Sequence, residues 1–426
     1  MEEKNIETKP PSLKRNISGL FLLHSVGFIL TFAAIPYLTR VLGVAGWGKL
    51  ILIQISLNYL CWFSNWGYYL GGTKSIAATR VVSTKTNKIF SVIWSSQLLI
   101  TIVVLLIFVF LITTVSFFQK DYILYLSGLL VVIGNVLLPF WYLNGLEKIV
   151  ESSLIQIFVK FLTLPLYFLF INNPNDIAKY FFINGGVAIL VGVLMLSWMR
   201  FKLRVIFVLP SLQEVANTTK ENFSLFLSTV LASMSTTIIP YALGVFSGDK
   251  ALGLFNIADR MRGFAVQILH PISHALFPRM GYLIANNEKE SAKRLLFRSG
   301  TILMLLSSLL SIILFIFSRD IVLLVAGEEF VGAIPLLQIL AISPIITTIS
   351  SFLIYQIIIP EGLDSTYLST VTAVVLLSLL FVMPVLIFYG LHGATALVVF
   401  VEIVGLILLV KLGYKKLQIK HKNTWI

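Results

Sequence analysis

Residues 89–118 read IFSVIWSSQLLITIVVLLIFVFLITTVSFF, thirty positions without one charged side chain. As an α-helix rising about 1.5 Å per residue, the stretch outreaches the roughly 30 Å hydrocarbon layer of a bilayer. Comparable windows lie near 17–39, 46–70, 122–143, 151–171, 179–199, 223–247, 251–278, 295–317, 331–358, 366–388 and 392–412. The break at Gln119-Lys120-Asp121 is thin, and the window at 251–278 is the least apolar. About twelve membrane helices is the count the sequence supports best, in an all-α polytopic fold.

Composition agrees. Of 426 residues, 58% are apolar and 12% charged, with a mean hydropathy of +0.93. Soluble domains run to about 45–50% apolar and 25% charged, so a water-soluble enzyme is excluded. The mostly polar first sixteen residues lead into an apolar stretch too long for a cleavable signal and without a small-residue cleavage site, so the first span reads as a retained anchor.

The net charge of +13 is first of all a topology signal. With the N-terminus in the cytoplasm, inside segments carry 23 of the 32 Lys and Arg residues and outside loops carry six. The other three, Lys160, Arg260 and Arg262, fall within spans. Both termini are therefore expected in the cytoplasm, and the surplus charge needs anionic lipid but no nucleic acid. The longest polar stretch, near 199–222, sits at mid-chain. It divides the sequence into an N-terminal six-helix lobe (1–199), a cytoplasmic linker (200–222), a C-terminal six-helix lobe (223–412) and a cytoplasmic tail (413–426).

A faint repeat supports two halves. Ile35-Pro36-Tyr37-Leu38, followed by Leu42-Gly43, Gly46 and Gly48, matches Ile239-Pro240-Tyr241-Ala242, followed by Leu243-Gly244, Gly248 and Gly253, at an offset of about 204 residues. The implied repeat is parallel.

Polar groups inside spans cost free energy unless they meet protein or water, so they are the functional candidates. In the eighth span Asn256, Arg260, Gly263, Gln267, His270 and His274 fall within about 40° of one line on a helix, bordered by Asp259. The stripe reads either as a hydrated cationic cavity face or as a helix–helix seam in which Asp259 pairs with Arg260 or Arg262. In span two, Gln54, Asn58, Cys61, Asn65 and Tyr68 form a second stripe, whose amides suit sugar hydroxyls or joining helices. Lys160 lies mid-span, as does Glu402, which reads as a coupling carboxylate or a structural ion-pair partner. His24 lies in span one and either lines a cavity or packs.

One cysteine permits no intrachain disulfide. His270 and His274 lack the intervening acid of a metalloprotease, although their i, i+4 spacing keeps a weak metal reading open; no metal site, cofactor or catalytic residue is assigned. No phosphate-binding P-loop occurs.

The segments Pro36-Tyr37-Leu38-Thr39-Arg40-Val41-Leu42-Gly43, Leu252-Gly253-Leu254-Phe255-Asn256-Ile257-Ala258-Asp259-Arg260 and His270-Pro271-Ile272-Ser273-His274-Ala275-Leu276-Phe277-Pro278-Arg279-Met280 carry a family resemblance. The chain resembles the polysaccharide (O-antigen, Wzx-type) flippases of the multidrug/oligosaccharidyl-lipid/polysaccharide exporter superfamily. The resemblance implies two lobes in a V around a central cavity. It also implies transfer of an undecaprenyl-pyrophosphate-linked oligosaccharide across the bacterial inner membrane by alternating access, alongside a polysaccharide polymerase and a chain-length regulator. Arg260, Lys160 and Arg40 suit the pyrophosphate by charge-assisted hydrogen bonds, and Asp259 and Glu402 suit ion coupling. Two alternatives stand beside this reading. A drug/cation antiporter of the same superfamily prefers an acidic cavity, and a membrane glycosyltransferase or polymerase needs paired acids or a large outside loop.

Overall fold

Punctuation by glycine and proline decides how the long apolar runs are divided. In the computed structural model, which describes residues 13–79, 81–286 and 288–423, helix α1 spans Leu13–Asn65 and is broken at Gly43 (φ 66, ψ 179). That backbone region is one that a Cβ disfavours, so the break needs glycine. Trp66 and Gly67 then take positive φ (46 and 74) and turn the chain into α2 (Tyr68–Ala77). The Asn65 side chain accepts from the Tyr69 N–H at 2.9 Å across this turn. Helix α3 (Thr84–Thr114) opens with a capping box, in which the Ser83 and Thr86 side chains each accept from the other's backbone N–H.

The remaining elements are α4 (Ser116–Gln119), α5 (Tyr122–Val136), α6 (Phe140–Gly145), α7 (Ile149–Phe170), α8 (Ile177–Phe201), α9 (Leu212–Glu221), α10 (Phe223–Ser247), α11 (Asp249–Ala285), α12 (Lys289–Ile316) and α13 (Ser318–Ala326). A 3₁₀ turn (Glu328–Ala333), α14 (Ile334–Leu340), α15 (Ser343–Leu353) with a π-helical end (Ile354–Ile358), and α16 (Asp364–Asn423), broken at Gly390, complete the chain. No strand occurs among the described residues. Among them, eight helices are long and apolar enough to cross a membrane, or nine when the bent pair Glu328–Leu340 and Ser343–Ile358 is one span. The α1 and α16 breaks each divide one long helix, and α11 is too polar to be counted, so the expected twelve spans are compatible with this tally.

The outward faces confirm lipid as the solvent. On α3, Leu99, Ile102, Val103, Leu106 and Phe110 are exposed, Leu106 by 66% and Phe110 by 64%, while Phe90, Ile93 and Gln97 point inward. Such a stripe is tenable in hydrocarbon and aggregates in water.

The chain forms two compact units. The first contains the chain up to Gly43 and Ile53–Val230. Its core gathers Tyr68, Phe90, Trp141 and Tyr142, all nearly fully buried. Helices α5 and α8 meet through Gly134, Gly185, Ala188 and Gly192, small residues that let helices approach in lipid. The 200–222 segment, expected as a linker, contains α9, which docks on this unit: Trp66 Nε1 donates to the Thr219 carbonyl at 3.0 Å, and Lys88 Nζ pairs with Glu214 at 2.6 Å. The Lys88 ammonium and the Ser211 N–H hold the Glu214 carboxyl below its ordinary range.

The second unit contains Val44–Leu52 and Leu231–Ile426. Its core includes Leu252, Phe255, Ile257 and Ala258 of α11 with Leu336, Leu337 and Leu340 of α14. Gly248 (φ 84, ψ 174) separates α10 from α11 with a backbone conformation close to that at Gly43 in α1.

Candidate functional site

Helix α11 places Asp259 and Arg262 three residues apart, on neighbouring turns, and α16 of the same unit brings Glu402 against them. Arg262 Nη2 lies 2.7 Å from Asp259 Oδ1, and Arg262 Nη1 donates to Glu402 Oε1. The Arg262 and Glu402 side chains are only 16% and 17% exposed. One guanidinium therefore serves two carboxyl groups. Burying charge on this scale is tolerable because each ion has an opposite partner, and removing one partner strands the others. The second oxygen of Glu402 and Nε of Arg262 are buried without hydrogen-bond partners.

These three side chains line a cavity of about 230 Å³ within the second unit. Hydroxyl groups of Ser235 and Thr236 on α10, Thr347 and Ser350 on α15, and Tyr367 and Thr370 on α16 also line it. Sites for drug-sized ligands occupy roughly 300–1,000 Å³, so this smaller one has room for an ion with a little water.

Arg260, two residues before Arg262, makes different contacts. Its Nε donates to Asn256 Oδ1 at 2.9 Å, and its guanidinium carbon lies 5.2 Å from the ring centroid of Trp47. Trp47 is only 2% exposed, a fixed platform for a cation. It reaches Arg260 because the 44–52 segment and α11 touch backbone to backbone. A Cβ on Gly48 would lie 1.8 Å from the Asp249 carbonyl oxygen, and one on Gly253 would lie 2.2 Å from that of Val44. The repeat glycines are thus the contact that carries Trp47 to Arg260. Further along the stripe, a Cβ on Gly263 would meet nothing, and Gln267 is exposed, so this part of the face is open and is not a close helix seam.

The other sequence candidates fall in the first unit. Lys160 and Gln156 share an exposed face of α7, while Thr163, also one turn away, is buried and donates to the Lys160 carbonyl. Arg40 is exposed and its Nη1 folds back to the Pro36 carbonyl at 2.8 Å. Gln54 is half-buried and Asn58 exposed, while Asn65 serves the α1–α2 turn. The side chains of His24, His270 and His274 lie outside the described residues. The structure thus joins Asn256 to Arg260, and Asp259 to Glu402 through Arg262.

Trp47 is the residue that stripe counting passed over, while Arg262 entered the sequence reading as one of two possible partners of Asp259 and is the one the structure pairs with it. A buried mid-span acid demands a cation, and Asp259–Arg262 at i, i+3 was the available signal for one. Among the described residues, no group of three or more His, Cys, Asp or Glu side chains is placed to hold a metal ion.

Residues 13–284 match the model of a family described as polysaccharide biosynthesis protein. Two relatives bear the name "Putative O-antigen transporter". One, from Escherichia coli (strain K12), is 27% identical over 379 residues, 89% of this chain and 91% of its own. The other, from Shigella dysenteriae, is 25% identical over 399 residues, 94% of this chain and 99% of its own. Among solved structures, the lipid II flippase MurJ in an inward closed conformation matches with a TM-score of 0.71 at 15% identity, covering 92% of this chain and 86% of that one. An inward-facing multidrug resistance MATE family transporter of the MOP superfamily matches with a TM-score of 0.68 at 13% identity, covering 94% and 95%. At these identities the likeness concerns the fold, which is that of the MATE and MurJ transporters.

Proposed function

The chain belongs to the polysaccharide biosynthesis protein family, and on that footing we propose that it is a flippase for a lipid-linked oligosaccharide. It moves a polyprenyl-pyrophosphate-linked repeat unit of the O-antigen kind from the cytoplasmic to the periplasmic leaflet of the inner membrane. The observation that carries this reading is the alignment of nearly the whole chain with the two relatives so named.

The physical task is to carry a diphosphate and a glycan past hydrocarbon, where unpaired polar groups cost several kcal/mol each. Arg260, held in place by Trp47 and Asn256, is the first ligand we assign to the pyrophosphate, with Lys160 and Arg40 as further cations. Asn256, Gln267, Gln54, Asn58, Asn65 and the histidines His24, His270 and His274 are assigned to the glycan. The prenyl tail stays in lipid. No bond is made or broken, so no residue is given a catalytic role. The protein alternates between states that open the substrate to either side.

Asp259 and Glu402 are the proposed ion-coupling pair. The two carboxyl groups share the single guanidinium of Arg262, which gives a proton or small cation a place beside them, and the adjoining hydroxyl-lined cavity has the size for it. By the distribution of Lys and Arg, both termini are assigned to the cytoplasm. A polysaccharide polymerase and a chain-length regulator are the assigned partners.

Deletion of the gene in its host, complemented by variants of matched membrane abundance, tests the reading. The expected result is loss of surface polysaccharide on deletion and with Arg260→Ala, while lipid-linked repeat units accumulate on the inner leaflet. Normal surface polysaccharide in the deletion strain contradicts the function; normal polysaccharide in Arg260→Ala alone contradicts that residue's role. The drug/cation antiporter alternative prefers an acidic cavity, whereas Asp259 and Glu402 share theirs with the Arg262 guanidinium. Export of cationic dyes by the chain would favour it.

A further inference from the structure

The segment that follows α8 has the charge of a linker and the surface of a membrane anchor. Phe201, Leu209 and Leu212 are 83%, 86% and 80% exposed, and the side chains at 206–208 are exposed as well. Arg200, Lys202 and Arg204, all exposed, alternate with the first of these apolar groups. In water, so many large apolar side chains on one short irregular segment constitute an adhesive patch.

Its depth can be read from its contacts. The α8 span ends at Phe201, and the chain then turns back along the bundle. The Val205 N–H donates to the Met199 carbonyl at 3.1 Å, and the Val208 N–H donates to Ser91 Oγ at 2.8 Å. The Phe207 ring meets the Trp94 ring edge to face at 5.8 Å. Ser91 and Trp94 lie at the beginning of the uncharged 89–118 stretch, just after the charged Lys88. The segment therefore lies level with the boundary between headgroups and acyl chains. Tryptophan is favoured there, and arginine and lysine reach up to phosphates while their stems stay among apolar groups.

We propose that residues 200–212 form a binding surface for anionic phospholipid. Phe201, Leu209 and Leu212 enter the acyl boundary, and Arg200, Lys202 and Arg204 meet the headgroup phosphates. Two observations favour lipid over a protein partner. The strip is continuous with a membrane span, and its cations and apolar groups are interleaved at one depth. An interface with a soluble protein gathers its apolar groups into a core and sends its charges to a rim. The surface is independent of what the chain transports.

The test uses the full chain. Cys61 is its one cysteine, so a Cys61→Ala background accepts a single nitroxide at Leu209→Cys, with Leu212→Cys as a second site. In vesicles of phosphatidylcholine with phosphatidylglycerol, the label should be reached by oxygen and shielded from an aqueous nickel chelate. In detergent, the phosphatidylglycerol retained over phosphatidylcholine, counted by native mass spectrometry, should fall by about fivefold for each of Arg200→Gln, Lys202→Gln and Arg204→Gln. These are exposed side chains, so the fold is kept. A nickel-accessible label overturns the proposal. So does a label shielded from both reagents whatever the lipid, which reports a protein cover. An oxygen-exposed label with no phosphatidylglycerol preference overturns the anionic assignment.

Discussion

Arg262 bridges acids on two helices, 140 positions apart in the case of Glu402. Removing it leaves two partly buried carboxylates facing each other, so Arg262→Ala should destabilise the protein by about 3–5 kcal/mol. A thermal melt of the detergent-solubilised protein measures this. Adding Glu402→Gln to that variant removes one stranded charge and should recover part of the lost melting temperature; an additive further loss would show that the two side chains do not act as a pair. Asp176, in the loop before α8, gives a pH-dependent case. It accepts from the N–H groups of Asn172 and Asn173 and pairs with Lys179 at 2.8 Å. The Lys179 ammonium, then the Asn172 N–H, hold its carboxyl below the ordinary value. Its contribution is present above about pH 4 and is lost as pH falls through the lowered folded value. Asp176→Asn should therefore lower the melting temperature at neutral pH and flatten its acid dependence; an unchanged slope below pH 4 contradicts this. Arg260 and Glu402 were legible in the sequence as charges at membrane depth. Their partners were not, because Trp47 and Arg262 become neighbours only through helix packing.

At the scale of elements, glycines tell packing from open space. Gly253→Ala drives a methyl group into the Val44 carbonyl and should part the 44–52 segment from α11, at a cost of at least about 1–3 kcal/mol and with it the Trp47 platform under Arg260. Gly263→Ala, on the same helix, meets nothing and should stabilise by about 0.5–1 kcal/mol through helix propensity. Melting temperatures of the two variants check the pair, and a reversal of sign contradicts the packing. The apolar windows and the Ile-Pro-Tyr repeat were readable because they are local. The character of 200–212 was not: Arg200, Lys202, Arg204 and Pro210 signal a polar linker, and only the fold shows that the apolar residues among them stay uncovered.

For the whole molecule, the uncharged 89–118 stretch already specified the solvent, and the exposed apolar stripe of α3 shows the same choice from outside. Sequence also anticipated the transporter fold, through the family resemblance carried by the segments at 36–43, 252–260 and 270–280. It could not place the small cavity in the second unit, whose lining comes from α10, α11, α15 and α16, or decide between an open stripe and a seam at Gly263. The central claim is movement of a lipid-linked oligosaccharide between leaflets, and it is most directly measured in vesicles. The purified chain is reconstituted with a polyprenyl-pyrophosphate oligosaccharide, the outside glycans are removed by an added glycosidase, and the later appearance of newly cleavable glycan is followed. The account predicts rapid exposure in vesicles holding the chain, and exposure at the protein-free rate with Arg260→Ala. Exposure by the intact chain no faster than in protein-free vesicles, with insertion verified and any required ion gradient imposed, would contradict it.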